Sequence, residues 1–233
     1  MKLSDFKGLF HRSALTVLTI DNPYGDYHRS TLKPDKNTIW ISGDHGIFTL
    51  PLRKVSGKPW RAFSIASTPQ EEMLIIGTRA GEETSSFKKE LLCMKEGERV
   101  NVIGPFGWFK VREQTSPIVL IAGGVGITPV RALLKELEND TDRNIHLIYQ
   151  SSDYYLFGDE LIEIAAANPK ISLLMTRAKK ETEEAILSLI RPYNTKAYYY
   201  VSGPIPFIKS IKKYIKLKGV GGQRIISDPF YGY

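Results

Sequence analysis

Cysteine is nearly absent from the 233 residues: Cys93 stands alone, so no disulfide can close within the chain and the thiolates of an iron-sulfur cluster are missing. A lone thiol suits a reducing compartment. Histidine is also scarce, and His11, His28, His45 and His146 are scattered without metal-ligand spacing, which predicts no metal site. No stretch approaches the roughly 20 apolar residues of a membrane span. Residues 1–20 include Asp5 and alternate polar with apolar from Ser13 to Ile20, unlike the unbroken apolar core of a signal peptide. The expectation is a cytoplasmic protein with no membrane span. What the chain does have is ordinary: 42% hydrophobic and 24% charged residues, the balance of a globular protein of one or two domains. Its 32 Lys and Arg exceed its 25 Asp and Glu, and the net charge of +7 predicts attraction to an acidic protein, a phosphorylated cofactor or nucleic acid.

The first half reads as strands. Residues 14–20, 38–41, 46–50, 73–76 and 100–103 are short and rich in branched and aromatic side chains. Turn clusters such as Asn22-Pro23-Tyr24-Gly25 and Lys33-Pro34-Asp35 divide them, which suits an antiparallel barrel. One helix interrupts the run, with Phe87, Leu91 and Met94 at i, i+4 and i+7 behind the capping candidates Thr84, Ser85 and Ser86. On that helix Cys93 reads as a small buried apolar residue. The character changes after Glu113-Gln114-Thr115-Ser116-Pro117, which sets domains at 1–113 and 114–233. Strands at 118–122, 145–149, 171–176 and 197–202 then alternate with helices at 129–138, 160–167, 182–190 and 205–216. The fold class expected is all-β plus α/β, an antiparallel β-barrel followed by a doubly wound parallel sheet that binds a nucleotide at the carboxyl ends of its strands.

Two segments carry chemistry. Gly123-Gly124-Val125-Gly126-Ile127-Thr128-Pro129 follows a strand and opens a helix, the context in which glycine lets a backbone approach a diphosphate at a helix start. Glycine in such a turn also serves packing alone. Arg61-Ala62-Phe63-Ser64-Ile65-Ala66-Ser67-Thr68 combines a cation, an aromatic ring and hydroxyls on one extended segment. It reads either as a barrel strand with a snorkelling arginine or as a ligand strand, with Arg61 on a phosphate, Phe63 against a flat ring and Ser64 at that ring's edge.

Taken together, the segments resemble a known family. Residues 61–67 resemble the Arg-x-aromatic-Ser-x-x-Ser flavin signature of the ferredoxin-NADP reductase superfamily, and residues 123–129 are similar to its nicotinamide-nucleotide loop. Trp40-Ile41-Ser42-Gly43-Asp44-His45 resembles the strand entering the flavin site, Thr84-Ser85-Ser86-Phe87 the Ser-rich helix start under the flavin diphosphate, and Gly104-Pro105-Phe106-Gly107 the turn closing the barrel. Val201-Ser202-Gly203-Pro204 is similar to the Cys-Gly-x-Pro segment beside the nicotinamide, and Asp228-Pro229-Phe230-Tyr231-Gly232-Tyr233 to the aromatic tail that shields the flavin.

The resemblance implies an FAD-binding barrel, an NAD(P)-binding domain, and hydride transfer between NAD(P)H and FAD with electrons passed on singly. Carried over by residue, Arg61 meets the flavin phosphate, Phe63 stacks on the flavin, and Ser64 lies near its N5. Ser67, Thr78 and Arg79 line the same site, while Ser85 and Ser86 cap the diphosphate helix. Gly124, Gly126, Thr128 and Pro129 contact the nicotinamide nucleotide, and Gly203 and Pro204 face its reactive ring. Ser64, Ser202 and Tyr233 fall at the reacting rings, with Phe230 beside the flavin. Ser202 departs from the family's usual cysteine, and activity is expected to survive it. Ser151 and Ser152, then Arg177, Lys179 and Lys180, are the candidates for a 2′-phosphate, favouring NADPH over NADH, although Asp153 could bind the free ribose of NADH. The implied partner is an acidic electron carrier such as ferredoxin or flavodoxin. The lysines of residues 208–216 read first as a solvated helix face, with docking of such a carrier as the alternative. An oxygenase component, a ferric complex or free flavin is the alternative acceptor. A basic nucleic-acid module is disfavoured, because it leaves both motifs without a role.

Overall fold

A computed structural model describes residues 8–193 and 196–230. They fall into two compact units that divide between Lys110 and Val111. The first unit is a six-stranded antiparallel sheet formed by β1 (Arg12–Tyr24), β2 (Tyr27–Pro34), β3 (His45–Thr49), β4 (Trp60–Ser64), β5 (Leu74–Arg79) and β6 (Arg99–Phe106). Their order is β4-β3-β6-β1-β2-β5. Period-2 alternation buries Leu15 and Val17 of β1 and Val100 and Val102 of β6 on one face. A slip in register between Val17 and Thr19 bends β1 and curls the sheet. The edges come together where the Ala66 N–H donates to the Ile75 carbonyl at 2.7 Å. The short helix α1 (Ser86–Leu92), between β5 and β6, presses Phe87 and Leu91 into the core with Phe48 and Phe63. This is the expected barrel-like unit in the form of a curled half-barrel.

Three local expectations change. Residues 38–41 form no strand, because a turn at Asp35 leads into them and Asp44 captures the Ile41 N–H. Asp35 accepts from the Asn37 N–H and the Thr38 hydroxyl, and Asp44 accepts from the Ile41 N–H at 3.1 Å. The apolar content there serves to bury Trp40, whose indole N–H donates to the Ser67 carbonyl. Cys93 is exposed rather than buried: it caps the end of α1, two residues from Leu91 and so on the opposite face of the helix. Strands β2 and β11 (Ile225–Phe230) add to those expected; β2 is mostly polar, and β11 contains a proline that a sheet edge tolerates.

The second unit is a parallel five-stranded sheet wound with helices. After β7 (Ile118–Gly123) come α2 (Ile127–Glu136), β8 (Ile145–Gln150), α3 (Gly158–Ala167), β9 (Ile171–Thr176), α4 (Lys179–Tyr193), β10 (Tyr198–Pro204), α5 (Ile205–Leu217) and β11. Strand order is β11-β10-β7-β8-β9. β7 lies at the centre and is buried at every position, which explains its unbroken apolar run. The winding reverses between β7 and β10, and a crevice outside the carboxyl ends of the strands at that point is where such sheets bind ligands. No helix among the described residues is long and apolar enough to cross a membrane.

Candidate functional site

In the second unit the glycine loop falls at this reversal point. β7 ends at Gly123, a single 3-10 turn occupies Gly124–Gly126, and α2 begins at Ile127. Gly124 has φ of +53° and a Cβ there would meet nothing within 4 Å, so its strain lies in the backbone and its face is open. Gly126 differs: a Cβ would lie 2.3 Å from the Ser202 carbonyl oxygen and 2.6 Å from Gly203 Cα. Its lack of a side chain lets the loop pack against β10, the packing role glycine can play in such turns. Thr128 is buried, and its hydroxyl donates to the Val125 carbonyl at 3.0 Å, fixing the loop from inside. Pro129 is buried in the first turn of α2.

Across the reversal point, Ser202 is fully buried on β10, with its hydroxyl directed at the Asp228 carbonyl 3.4 Å away. Gly203 follows at a φ of +150° and Pro204 ends the strand. At the ends of β8 and β9, the Ser151 hydroxyl donates to the Tyr154 carbonyl at 2.7 Å. Arg177 is exposed just beyond β9, and its backbone N–H donates to the Glu181 carboxylate at 2.9 Å. Sequence reasoning did not single out Glu181. Its signal is a carboxylate in the first turn of α4, where the free N–H groups attract it. A separate cleft of about 760 Å³ opens beside residues 111–114 and 136–143, ahead of β7 and β8 and away from the strand ends. In it Arg143 is bound to Asp140 and to the Glu113 carbonyl.

In the first unit Arg61, Phe63 and Ile65 share a face, as the alternation predicts. Phe63 and Ile65 turn into the core, where the Phe63 ring lies edge-on to Phe48 at 5.5 Å and 6.2 Å from Phe87. Arg61 stays half-buried with its guanidinium 5.9 Å from the Phe87 ring. Its Nη1 donates to the carbonyls of Lys58 and Trp60, and its buried Nε has no hydrogen-bond partner among the described residues. Such an orphaned cationic donor fits an anionic ligand. Ser64 is buried on the opposite face of β4, paired in register with His45. Ser67 is committed to the sheet instead, since its fully buried Oγ accepts the Ile75 N–H at 3.0 Å and ties β5 to the segment after β4.

Arg79, at the end of β5, forks onto Asp26 with Nε 3.0 Å from both carboxylate oxygens, and its guanidinium lies over Tyr27. Thr78 beside it is buried, with its hydroxyl 3.4 Å from the Arg79 carbonyl. Ser85 is the N-cap of α1 and accepts from the Lys88 N–H, while the Ser86 Oγ accepts from the Ser56 N–H at 3.1 Å. Lys88 was missed from sequence, although a lysine next to Phe87 and three residues before Leu91 interrupts an apolar stripe. It is 7% exposed, and its ammonium donates to the Arg79 carbonyl at 2.9 Å. Burial, with the Arg61 charge adding to it, pushes the Lys88 amine down to about 8. Phe230 ends β11, and Tyr233 lies outside the described residues.

A curled antiparallel sheet and a parallel sheet with its glycine loop at the winding reversal make up the two-domain fold of ferredoxin-NADP reductase-like proteins. Residues 120–213 match the oxidoreductase NAD-binding domain family. Among curated proteins, a flavohemoprotein of Bacillus thuringiensis subsp. konkukian is 31% identical over 227 residues, covering 86% of this chain and 56% of that one. The electron transfer component of toluate 1,2-dioxygenase from Pseudomonas putida is 30% identical over 182 residues, covering 73% of this chain and 54% of its own. The chain thus spans about half the length of these curated relatives. Among solved structures, a ferredoxin NADP+ reductase from Neisseria gonorrhoeae with bound FAD and NADP superposes with a TM-score of 0.80 at 13% identity, over 94% of this chain and 99% of that one. An Amycolatopsis cytochrome P450 reductase superposes with a TM-score of 0.81 at 21% identity, over 94% and 70%.

Proposed function

We propose that this chain is a FAD-dependent NAD(P)H oxidoreductase that accepts a hydride from a reduced nicotinamide and delivers electrons singly to a separate protein. The observation that carries the reading is the glycine loop at the reversal point of the parallel sheet, inside the stretch that matches the NAD-binding family. In this reading residues 1–113 hold the flavin and residues 114–233 the nicotinamide nucleotide. Bound flavin supplies the exchange of one two-electron transfer for two one-electron transfers. The chain's residues bind and orient. Arg61, with its orphaned Nε, takes a phosphate oxygen, whereas Phe63 packs in the core against Phe48 and Phe87, which withdraws it from the expected stacking on the flavin. Ser64 offers a hydroxyl near the flavin ring, with Thr78, Arg79, Ser85 and Ser86 around the remainder and Phe230 and Tyr233 as its aromatic cover. Open backbone at Gly124 receives the nucleotide diphosphate. Ser202 acts by shape, because its hydroxyl is directed at the Asp228 carbonyl rather than held for proton transfer.

The relatives include the electron transfer component of a dioxygenase and the ferredoxin reductase component of a 3-ketosteroid monooxygenase from Mycobacterium tuberculosis. They favour an oxygenase component or its acidic carrier as the acceptor here. For the nicotinamide, exposed Arg177 favours NADPH, while the Glu181 carboxylate opposes a 2′-phosphate and keeps the preference small. A cytoplasmic location belongs to the same reading and rests on the exposed free thiol of Cys93. The test is to purify the protein without added flavin, identify any released chromophore, and titrate anaerobically with NADPH and then NADH. A yellow protein that releases FAD and is bleached by either nucleotide is the expected result. A colourless protein that binds no FAD and oxidises neither nucleotide overturns the proposal.

A further inference from the structure

A second cluster of reactive side chains lies at the opposite end of the parallel sheet from the glycine loop. His146 of β8 and Ser172 of β9 are cross-strand neighbours near the amino ends of their strands, on the sheet face that α4 covers. The Ser172 Oγ is 2.6 Å from His146 Nδ1. On the other side of the ring, Nε2 is 3.1 Å from the hydroxyl of Tyr193 at the end of α4, and that oxygen also accepts from Asn144 Nδ2 at 3.1 Å. A separation of 2.6 Å is shorter than N–H donors usually make and suits an O–H donor. Serine therefore donates, Nδ1 accepts, and the imidazole proton sits on Nε2, held by Tyr193. Burial lowers the imidazole below its usual 6.5, and the groups facing it are Ser172 from β9, Tyr193 from α4, Asn144 and, from β7, Val119. At pH 7 His146 is a neutral base. Ser172 itself is exposed, so the hydroxyl joined to this base is open to a ligand. A nucleophile, its base and a third group orienting the base make the arrangement that activates a serine. An oxyanion donor stands beside it. β9 is an edge of the sheet, and the bonds from the Ile145 N–H to the Lys170 carbonyl and from the Ser151 N–H to the Thr176 carbonyl turn the even-numbered residues of β9 toward β8. The Leu173 N–H therefore points off the free edge, one residue from the serine, where it meets the oxygen of an attacked carbonyl.

We propose that Ser172 is an activated nucleophile toward small activated carboxylic esters, with His146 as its general base and Tyr193 positioning His146. The Ser172 Oγ bonds to the ester carbonyl carbon while its proton passes to His146 Nδ1. The ester C–O bond then breaks, and the alcohol leaves with that proton. Water attacks the acyl-serine by the same route, giving its proton to His146, releasing the acid and restoring the serine. Neither flavin nor nicotinamide enters these steps, so this activity stands or falls apart from the oxidoreductase reading.

The test is release of p-nitrophenolate from p-nitrophenyl acetate, corrected for hydrolysis in buffer. Ser172→Ala should remove most of the release, and His146→Gln should slow it about 100-fold, the usual share of a general base. Ser188→Ala should match wild type, because Ser188 is exposed on α4 with its hydroxyl donating to the Ala185 carbonyl at 2.7 Å rather than to an imidazole. Tyr193→Phe should lower kcat and leave KM unchanged, as expected of a positioning residue; an unchanged kcat overturns its part. The wild-type rate should be flat from about pH 7 to 9, where His146 is already neutral, whereas a serine without a base keeps speeding up with hydroxide. Release unchanged in Ser172→Ala, or a rate that climbs throughout that range, overturns the proposal. Should His146→Gln lose its circular dichroism, Ser172→Ala and the wild-type pH profile decide: lost release with a flat profile supports the assignment, and either one failing overturns it.

Discussion

Between Phe106 and Trp108, at ring-centroid distances of 4.5 and 5.3 Å, the imidazole of His45 is kept neutral. Burial lowers it to about 4, with the Lys110 charge adding to the effect, while in the unfolded chain it returns to 6.5. Between those two values the unfolded state binds the extra proton, so stability is lost as pH falls through the window and is fully present above it. The cost approaches about 3 kcal/mol at pH 4. Chemical denaturation at pH 7, 5.5 and 4 should show His45→Gln losing stability less steeply than wild type across this range; parallel slopes would mean that His45 titrates normally. Ser202 gives a second residue-level contrast. Its single long hydrogen bond predicts that Ser202→Ala costs about 1 kcal/mol or less in thermal stability and changes kcat by less than about 3-fold. A much larger fall in kcat would restore the serine to the proton chemistry.

At the scale of elements, the two glycines of the β7–α2 loop should separate stability from binding. Gly126→Ala drives a Cβ into the backbone of Ser202 and Gly203, atoms that cannot rotate away, so a loss of about 2–4 kcal/mol in thermal stability is expected. Gly124→Ala enters open space and bears only the strain of positive φ, roughly 1 kcal/mol, so its main effect should be a raised KM for the nicotinamide nucleotide. Equal stability losses in the two variants would contradict this division. The same loop was legible in the sequence, because β7 is buried on both faces and reads as an unbroken apolar run next to the amphipathic α2. Residues 38–41 misled because Trp40 and its branched neighbours look like a strand, while the hydrogen bonds of Asp35 and Asp44 that decide the backbone are set by side chains. Within the candidate site, the Arg61 motif was legible as a pattern. Its division of labour was not, since Ser67 is committed to Ile75 and Lys88 is buried through contacts with residues distant in sequence.

At the scale of the whole chain, the net charge of +7 makes approach of an acidic protein a matter of steering. One surface concentrates that charge: α5 buries Ile208, Ile211 and Ile215 and exposes Lys209, Lys213 and Lys216 on the other side. Lys212 is excluded from this set, because its ammonium donates to the Ser227 hydroxyl at 3.1 Å. Steering acts on encounter, so it should appear in the rate of electron delivery to an acidic ferredoxin and not in reduction of a small neutral quinone. Screening length falls from about 30 Å at 0.01 M salt to about 3 Å at 1 M. Over that range ferredoxin reduction should slow about 10-fold or more, with quinone reduction nearly constant. Replacing Lys209, Lys213 and Lys216 together by Glu should slow ferredoxin reduction at low salt and flatten its salt dependence, with NAD(P)H oxidation by the quinone unchanged. If the salt slope survives these replacements, the lysines of α5 are a solvated helix face, and carrier docking must be sought among the chain's other cations.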